Sequence, residues 1–226
     1  AAIGGTLTKT YDGTNAATGA SVSGAVTGAI TGDTIALDAT PVSLAYNGTH
    51  VVGTNAIVAS GTAGFTIGSS TAGSLGTDYS FAAPTISSAA ATITPLAVIL
   101  TGSRNYDGST NAAGSILTAS NLVAGDTLSF AGAGTLVAKN AGTQGVTSLG
   151  TLTPSNTDYT ITGAVGAVAI SPLAVTLTAP AVSKTYDATT AYATQTGDLT
   201  ALASSLAGGD TVTSATIVYS NKNAGV

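Results

Sequence analysis

Aspartate supplies every acidic side chain of this sequence, and many of these residues recur in fixed phrases. Six of them could bind a cation: Asp12, Asp33, Asp78, Asp107, Asp126 and Asp158. Carboxylate oxygens are preferred ligands of Ca²⁺, so a Ca²⁺ site assembled from distant loops is one use for them. Aspartate in a loop also accepts a hydrogen bond from the backbone N–H two residues on, which closes an Asx turn. We predict turn capping, no metal and no other cofactor, with Ca²⁺ as the alternative.

Few other residues could carry chemistry. His50 is the one histidine, and cysteine is absent, so a Ser-His-Asp triad or a zinc centre would depend on a single imidazole. Lys9, Arg104 and Lys184 each stand just before a repeated tyrosine. An intramolecular Lys–Asn isopeptide is one interpretation of the lysines, and a solvated cation at a strand end is the simpler one. The sequence predicts no catalytic residue and no enzyme.

The tyrosines and several aspartates belong to a phrase that occurs three times, here called the Tyr-Asp motif. Its copies are Lys9-Thr10-Tyr11-Asp12-Gly13-Thr14, Arg104-Asn105-Tyr106-Asp107-Gly108-Ser109 and Lys184-Thr185-Tyr186-Asp187-Ala188-Thr189. The long interval in sequence between the copies of this motif is typical of tandem domains rather than of the short rungs of a solenoid. We expect Gly13 and Gly108 to adopt positive φ. Ala188 at the equivalent position indicates either that this conformation is not strictly required or that repeat 3 tolerates roughly 1 kcal/mol of strain.

Further phrases follow each Tyr-Asp motif in the same order. A Gly-Asp-Thr phrase contains Asp33, Asp126 or Asp210, an Asn-Ala-Gly phrase spans 140–142 and 223–225, and a Thr-Asp-Tyr phrase ends at Tyr79 and Tyr159. A Pro-Leu-Ala-Val phrase then begins at Pro95 and at Pro172. We place boundaries at these prolines, which defines repeat 1 (1–94), repeat 2 (95–171) and a truncated repeat 3 (172–226).

The phrases have the pattern of short strands joined by turns. Leu173, Val175 and Leu177 alternate with smaller residues and predict a half-buried strand, as do Leu96, Val98 and Leu100. We also predict strands after each Gly-Asp-Thr phrase and at Tyr79 and Tyr159, and a short helix over 198–206 with Asp198 as its N-cap. About six to eight strands per repeat predict an all-β fold, an elongated tandem array of small β-sandwich (Ig-like) domains.

Tyr11, Tyr106 and Tyr186 are interpreted as structural residues. In the tyrosine corner of β-sandwiches, the ring packs on the core and the hydroxyl bonds to a nearby loop. We predict the same arrangement within each repeat, and stacking of these rings on a ligand is the alternative.

Composition argues against several classes of partner. Only 7% of the residues are charged and the net charge is −5, so the chain has no basic face for a nucleic acid or an anionic membrane. The mean hydropathy is +0.42, yet no apolar run approaches the roughly 18 residues of a membrane helix. Methionine is absent, and we interpret the chain as a segment of a longer protein.

The order of the five phrases resembles the YDG and MBG-type glycine-rich repeat modules of large bacterial surface proteins, including filamentous-haemagglutinin-like adhesins. The resemblance covers nearly the whole chain. It departs at Ala188, which replaces the motif glycine, and at 51–54, which replaces a clear Asn-Ala-Gly phrase. The resemblance implies an all-β repeat of a secreted cell-adhesion protein at the extracellular bacterial surface, and it implies no catalytic residue.

We therefore expect a structural repeat segment of a bacterial surface adhesin or fibre, acting as stalk or filament. Its partners would be neighbouring repeats and copies of itself, through lateral packing or strand addition at the incomplete repeat 3. The alternative is a glycan- or host-surface-binding module. It would use the loops between the Tyr-Asp motif and the Gly-Asp-Thr phrase, where Tyr192 is one of few aromatic residues.

Overall fold

The computed structural model describes residues 1–223, and the chain is predominantly β, which confirms the predicted all-β class. The regular elements are β1 Ala2–Gly5, β2 Thr8–Thr10, β3 Ala20–Ser23, β4 Asp33–Asp38, β5 Ser43–Tyr46, β6 Ala56–Ser60, β7 Gly64–Ser70, β8 Ala89–Ala90, β9 Thr92–Thr94, β10 Leu96–Asn105, β11 Asn111–Ala113, β12 Leu117–Ala119, β13 Phe130–Ala131, β14 Ala133–Leu136, β15 Gly142–Ser148, β16 Thr153–Pro154, β17 Tyr159–Ser171 and the helix α1 Thr196–Ala203. Short 3₁₀ turns occupy Gly76–Asp78 and Gly114–Ile116. Of the third Asn-Ala-Gly phrase, Ala224 and Gly225 lie outside the described residues.

The chain forms two compact units. The first consists of Ala1–Val98, Asn121–Leu128 and Pro154–Ala164, and the second of Ile99–Ser120, Ser129–Thr153 and Val165–Val226. These units do not follow the sequence repeats. The first unit contains repeat 1 together with the Gly-Asp-Thr and Thr-Asp-Tyr phrases of repeat 2, so these two phrases fold with the preceding repeat.

The first unit is built from small sheets, most of them antiparallel. β4 pairs with β7, β1 pairs with β3, and β6 lies between β5 and β8. Alternation within β6 shows why these segments become strands: Ile57 is fully buried, whereas the next residue, Val58, is 41% exposed. Ile3, Tyr46 and Ile93 are buried in the same unit.

The second unit contains most of a six-stranded sheet with the order β11-β14-β15-β17-β10-β12. β15 and β17 pair antiparallel, with Gly142 opposite Ile170. In β10, Val98 and Leu100 are buried whereas Ile99 is 44% exposed, so the predicted alternation of this strand is confirmed. The side chains of Leu117, Leu136 and Val168 are also buried.

The first two repeats are closed by a backbone hydrogen bond between their beginning and their end. The Tyr11 N–H donates to the Thr94 carbonyl at 2.8 Å, and the Tyr106 N–H donates to the Ser171 carbonyl at 2.8 Å. In repeat 1 this bond continues the parallel pairing of β2 with β9. Both acceptors directly precede the proline of a Pro-Leu-Ala-Val phrase. The Tyr-Asp motif is therefore fixed at the junction with the next repeat.

Several predicted strands do not form. Residues 173–178 are not a strand, and Leu173, Val175 and Leu177 are between 38% and 50% exposed. The equivalent strand of repeat 2, β10, lies beside β17 from the end of the same repeat, and residues 172–223 include no counterpart of β17. Residues 211–213 are also irregular, and only Phe130 of the segment 127–130 is in a strand.

The end of repeat 1 and the helix also differ from expectation. Tyr79 follows a 3₁₀ turn and begins no strand, whereas Tyr159 begins β17 as predicted. The helix is present, but its N-cap is Gln195 rather than Asp198. Asp198 is the third helical residue, and its carboxylate accepts the Gln195 N–H at 2.8 Å, which stabilises the first turn.

Candidate functional site: tyrosine–aspartate contacts between repeats

The Tyr-Asp motif forms the same Asx turn in all three repeats. Asp12 accepts the Thr14 N–H at 2.9 Å, Asp107 accepts the Ser109 N–H at 2.9 Å, and Asp187 accepts the Thr189 N–H at 3.0 Å. The residue between donor and acceptor has a positive φ in each copy, at +77° for Gly13, +74° for Gly108 and +62° for Ala188. Each loop thus turns sharply after its tyrosine.

A cation from the same motif closes each loop. Lys9 Nζ donates to Asp12 at 2.6 Å, Arg104 pairs with Asp107, and Lys184 Nζ donates to Asp187 at 2.7 Å. Lys184 also donates to the carbonyls of Thr189 and Ala191. Hydrogen bonds from Lys184 and Thr189 lower the pKa of Asp187 to about 2. The motif cations are therefore structural groups that hold the loop conformation.

The Gly-Asp-Thr phrases form a second turn, here called the acceptor turn. The N–H groups of Asp33, Asp126 and Asp210 donate to the carbonyl three residues earlier at 3.0 to 3.1 Å. The glycine before each aspartate has a φ between +74° and +98°, which fits the third position of a type II turn in the first two repeats. In the third turn Gly208 also has a positive φ, +62°, so both central residues are positive, as in a type I′ turn.

In the first two repeats the tyrosine of the Thr-Asp-Tyr phrase supports this turn. The Tyr159 hydroxyl donates to Asp126 Oδ2 at 2.6 Å and accepts the Val123 N–H at 2.9 Å. The Tyr79 hydroxyl donates to Asp33 Oδ2 at 2.6 Å and accepts the Ile30 N–H at 3.3 Å. The carboxylate is thereby fixed at the end of its turn.

Tyr11 of repeat 1 reaches the acceptor turn of repeat 2. Its hydroxyl donates to Asp126 Oδ2 at 2.9 Å, and its ring meets the Tyr159 ring edge-on with centroids 5.5 Å apart. Tyr11 is only 4% exposed. Burial, and then the hydrogen bond to Asp126, raises the pKa of Tyr11 to about 12. Hydrogen bonds from Tyr159 and Tyr11 lower the pKa of Asp126.

His50 adds a second polar contact between the same two repeats. Its Nδ1 lies 2.6 Å from Asp158 Oδ2, and the Val51 N–H donates to Asp158 Oδ1 at 2.7 Å. The His50 ring also stacks on Tyr11, with centroids 6.1 Å apart. Asp158 is 4% exposed, so His50 and Val51 supply hydrogen bonds to a buried carboxylate.

The second unit contains the corresponding contact between repeats 2 and 3. The Tyr106 hydroxyl donates to Asp210 Oδ2 at 2.6 Å, and Lys139 Nζ donates to Asp210 Oδ1 at 2.7 Å. Lys139 lies 5.8 Å from the centre of the Tyr106 ring. Lys139 precedes the glycine of its Asn-Ala-Gly phrase by the same interval that separates His50 from Gly53. The two residues therefore have equivalent positions, beside the motif tyrosine of their own repeat.

The predicted partner of the motif tyrosines is wrong for Tyr11 and Tyr106. Their hydroxyls bond to aspartates 115 and 104 positions away, in the following repeat, rather than to a nearby loop of their own repeat. No local pattern in the sequence predicts a role for Lys139 or Asp210, and for His50 the residue type suggests only catalysis or zinc binding. Alignment of the repeats could have placed His50 and Lys139 at equivalent positions, but the alignment does not show which residue either side chain contacts.

The six candidate Ca²⁺ ligands occupy different places. Asp12 and Asp107 pair with motif cations, Asp33 and Asp126 accept tyrosine hydroxyls, and Asp158 contacts His50. The sixth, Asp78, accepts the Leu75 N–H at 2.7 Å. Within residues 1–223, no three acidic or histidine side chains converge in a way that could hold a metal ion.

Among the same residues 1–223, no helix is long and apolar enough to span a membrane.

Comparison with known proteins gives one match. The model of the YDG domain family matches residues 1–87, 89–166 and 171–226. No curated protein and no solved structure matches the chain.

Proposed function

Because the chain belongs to the YDG domain family and contains three copies of the domain, we propose that it is a structural array whose domains are joined by tyrosine–aspartate contacts. The array would form a stalk or filament segment of a secreted bacterial surface adhesin or fibre, related to the MBG-type repeat proteins. Each domain would be a small Ig-like β-sandwich.

The observation that carries this proposal is the repetition of one contact at both junctions between repeats. Tyr11 with Asp126 and Tyr106 with Asp210 use the same motif residue and the same turn residue. Each junction also contains a second polar side chain, His50 or Lys139. A contact that recurs at each junction is expected where it fixes successive domains to one another. A single ligand-binding site would not have to be repeated at every junction.

The chemistry of the junction suits a mechanical role. Hydrogen bonds to ionised carboxylates are roughly twice as strong as those between neutral groups, and burial of Tyr11 protects its bond from water. Repeat 1 is joined directly to β10 through Pro95, which limits the backbone freedom between repeats 1 and 2. Both features resist separation of neighbouring domains.

Stretching of single molecules tests the mechanical role. Wild-type chains pulled between their ends should show a force peak for opening of the first junction, and Tyr11→Phe should lower that peak. Tyr79→Phe is the matched control, since Tyr79 makes the equivalent hydrogen bond within repeat 1. Equal peaks in wild type and Tyr11→Phe would contradict the role proposed for the junction. Surface display is tested separately, by antibody labelling of intact source cells.

The glycan-binding alternative draws less support from the side chains. Tyr192, the aromatic residue expected to serve such a site, is half-buried and packs edge-on against Tyr219 at 6.4 Å between ring centres. A glycan array probed with the whole chain tests this alternative directly, and binding lost in Tyr192→Ala would favour it.

A further inference from the structure

Repeat 1 begins and ends with strands that lie side by side and run in the same direction, since β2 pairs parallel with β9. At one end of this pair the Thr92 N–H donates to the Leu7 carbonyl at 3.1 Å. At the other end the Tyr11 N–H donates to the Thr94 carbonyl at 2.8 Å. The side chains of Tyr11 and Ile93 are buried, and hydrogen bonds are stronger where competing water is excluded.

Repeat 2 has the same arrangement in longer strands. β10 and β17 are neighbours in the six-stranded sheet. The Leu96 N–H donates to the Asp158 carbonyl, and the Tyr106 N–H donates to the Ser171 carbonyl. These two bonds advance in the same direction along both strands, so this pair is parallel as well. We call β2 with β9, and β10 with β17, the terminal strand pairs of repeats 1 and 2.

Parallel pairing of the first and last strands determines how a repeat responds to tension. A force along the chain pulls β2 towards the N-terminus and β9 towards the C-terminus. The two strands must then slide past each other, so all the hydrogen bonds between them carry the load together. Neighbouring antiparallel strands joined by a turn are instead pulled apart from their open end, and their bonds break one after another.

We propose that the terminal strand pairs bear the tension that the array transmits, and that the residues between the strands of each pair stay unloaded until the pair separates. Thr94 is followed directly by Pro95 and β10, so tension passes from the first pair to the second without entering residues 11–91. Separation of a pair releases the enclosed residues and lowers the tension on the neighbouring repeats. The proposal rests on the mechanical role proposed above and states which contacts within a repeat carry it.

Single-molecule stretching between chosen attachment points tests the proposal on the whole chain. The chain contains no cysteine, so an introduced pair of thiols gives unique attachment points. Thr6→Cys with Ala97→Cys places exposed thiols just beyond the two ends of the first terminal strand pair and loads it in shear. Ser43→Cys with Ser60→Cys is the matched control, because these exposed residues face each other at the open end of the antiparallel pair of β5 with β6.

The attachment points at 6 and 97 should require a several-fold higher force than those of the control. Rupture of the terminal strand pair should then lengthen the molecule by roughly 300 Å, at about 3.3 to 3.6 Å for each residue released. The control should open at the lower force with a first extension of roughly 60 Å. Equal forces in the two geometries would overturn the proposal.

Two substitutions separate the terminal strand pair from the general stability of repeat 1. Thr92→Pro removes the N–H that bonds to the Leu7 carbonyl and should lower the force measured between positions 6 and 97. Ile57→Ala leaves a cavity in β6, outside this pair, and should lower the urea midpoint while that force stays nearly unchanged. A force lowered by Ile57→Ala but not by Thr92→Pro would place the resistance in the core and contradict the proposal. If Thr92→Pro does not fold, the comparison of attachment points decides, because it leaves the hydrogen bonds of the pair in place.

Failure here is distinguishable from failure of the junction role. Tyr11→Phe keeps the backbone N–H that bonds to Thr94 and removes only the hydroxyl bond to Asp126. Stretched between positions 6 and 97, this variant should therefore keep the high force. Equal forces in the two geometries, with a junction peak that Tyr11→Phe lowers, would leave the junction role and remove the terminal strand pairs from it. A high force in shear with a junction peak that Tyr11→Phe does not change would support the terminal strand pairs and contradict the junction role.

Discussion

The Tyr11 hydroxyl donates a 2.9 Å hydrogen bond to Asp126, although the two residues are 115 positions apart. This bond explains why the first compact unit includes the acceptor turn of repeat 2. The motif tyrosine completes the fold of the next repeat rather than only its own. Neighbouring repeats are therefore expected to depend on each other for stability.

Removal of the Tyr11 hydroxyl should destabilise the chain. Tyr11→Phe retains the buried ring but deletes a hydrogen bond to a carboxylate, and such bonds contribute about 1.5 to 3 kcal/mol. We expect a loss of this size in the free energy of unfolding, measured by urea denaturation. Combination with Asp126→Asn should be less than additive. A fully additive double variant would show that the two side chains are not coupled.

His50 should stabilise the fold through Asp158 rather than through catalysis. His50→Ala leaves a buried carboxylate with the Val51 N–H as its nearest remaining donor, and an incompletely paired buried group costs about 1 to 3 kcal/mol. We expect a loss in that range, again from urea denaturation. His50→Lys should retain part of the stability, because Lys139 has the equivalent position in repeat 2. A wild-type midpoint for His50→Ala would contradict this role.

The second residue after each motif tyrosine has a positive φ, and its substitution should have a different effect in each of the three repeats. Gly108→Ala should cost more than about 2 kcal/mol, because αL strain adds to overlap with the Gly208 backbone. Gly13→Ala should cost about 1 to 2 kcal/mol, since its new methyl meets only a side chain. Ala188→Gly should stabilise by up to about 1 kcal/mol through relief of strain.

Thermal or urea unfolding of the three variants measures that order. Gly4→Ala is the control, because a Cβ there meets no atom within 4 Å and the backbone is extended. An equal loss for Gly108→Ala and Gly13→Ala would mean that close approach to Gly208 is unimportant.

Stability should be highest between about pH 4 and pH 10. Hydrogen bonds lower the pKa values of Asp126 and Asp210, and that of Asp187 falls from 3.8 to about 2. These groups bind protons less readily when folded, so their contribution is present above the ordinary pKa of 3.8 and is lost as the pH falls through the folded pKa, which is about 2 for Asp187. The pKa of Tyr11 rises from 10.0 to about 12, so its contribution is complete below pH 10 and is lost as the pH approaches 12.

Urea midpoints measured from pH 2 to pH 12 test this profile. Tyr11→Phe should lose less stability than wild type at alkaline pH. Its loss of stability at acid pH, to which Asp187 contributes, should be unchanged. A midpoint that falls steadily between pH 5 and pH 9 would contradict the assignment.

The sequence alone determined the local structures. The repeated Tyr-Asp-Gly order predicts an Asx turn with positive φ, and the alternation of Leu96, Val98 and Leu100 predicts a strand, because both depend on residues close in the chain. The family follows from the same local phrases. The failed strand at 173–178 shows the limit, since its pattern matches that of β10 but residues 172–223 supply no strand to pair with it.

Only the tertiary structure decided what the tyrosines do. The pairing of Tyr11 with Asp126, and of Tyr106 with Asp210, joins residues from different repeats, and no local pattern records such a distance. An aspartate in a Gly-Asp-Thr phrase looks the same whether its acceptor oxygen faces water or a tyrosine of the preceding repeat. The closing of repeats 1 and 2 at their Tyr-Asp motifs brings these groups together, because it places each tyrosine where the next repeat begins.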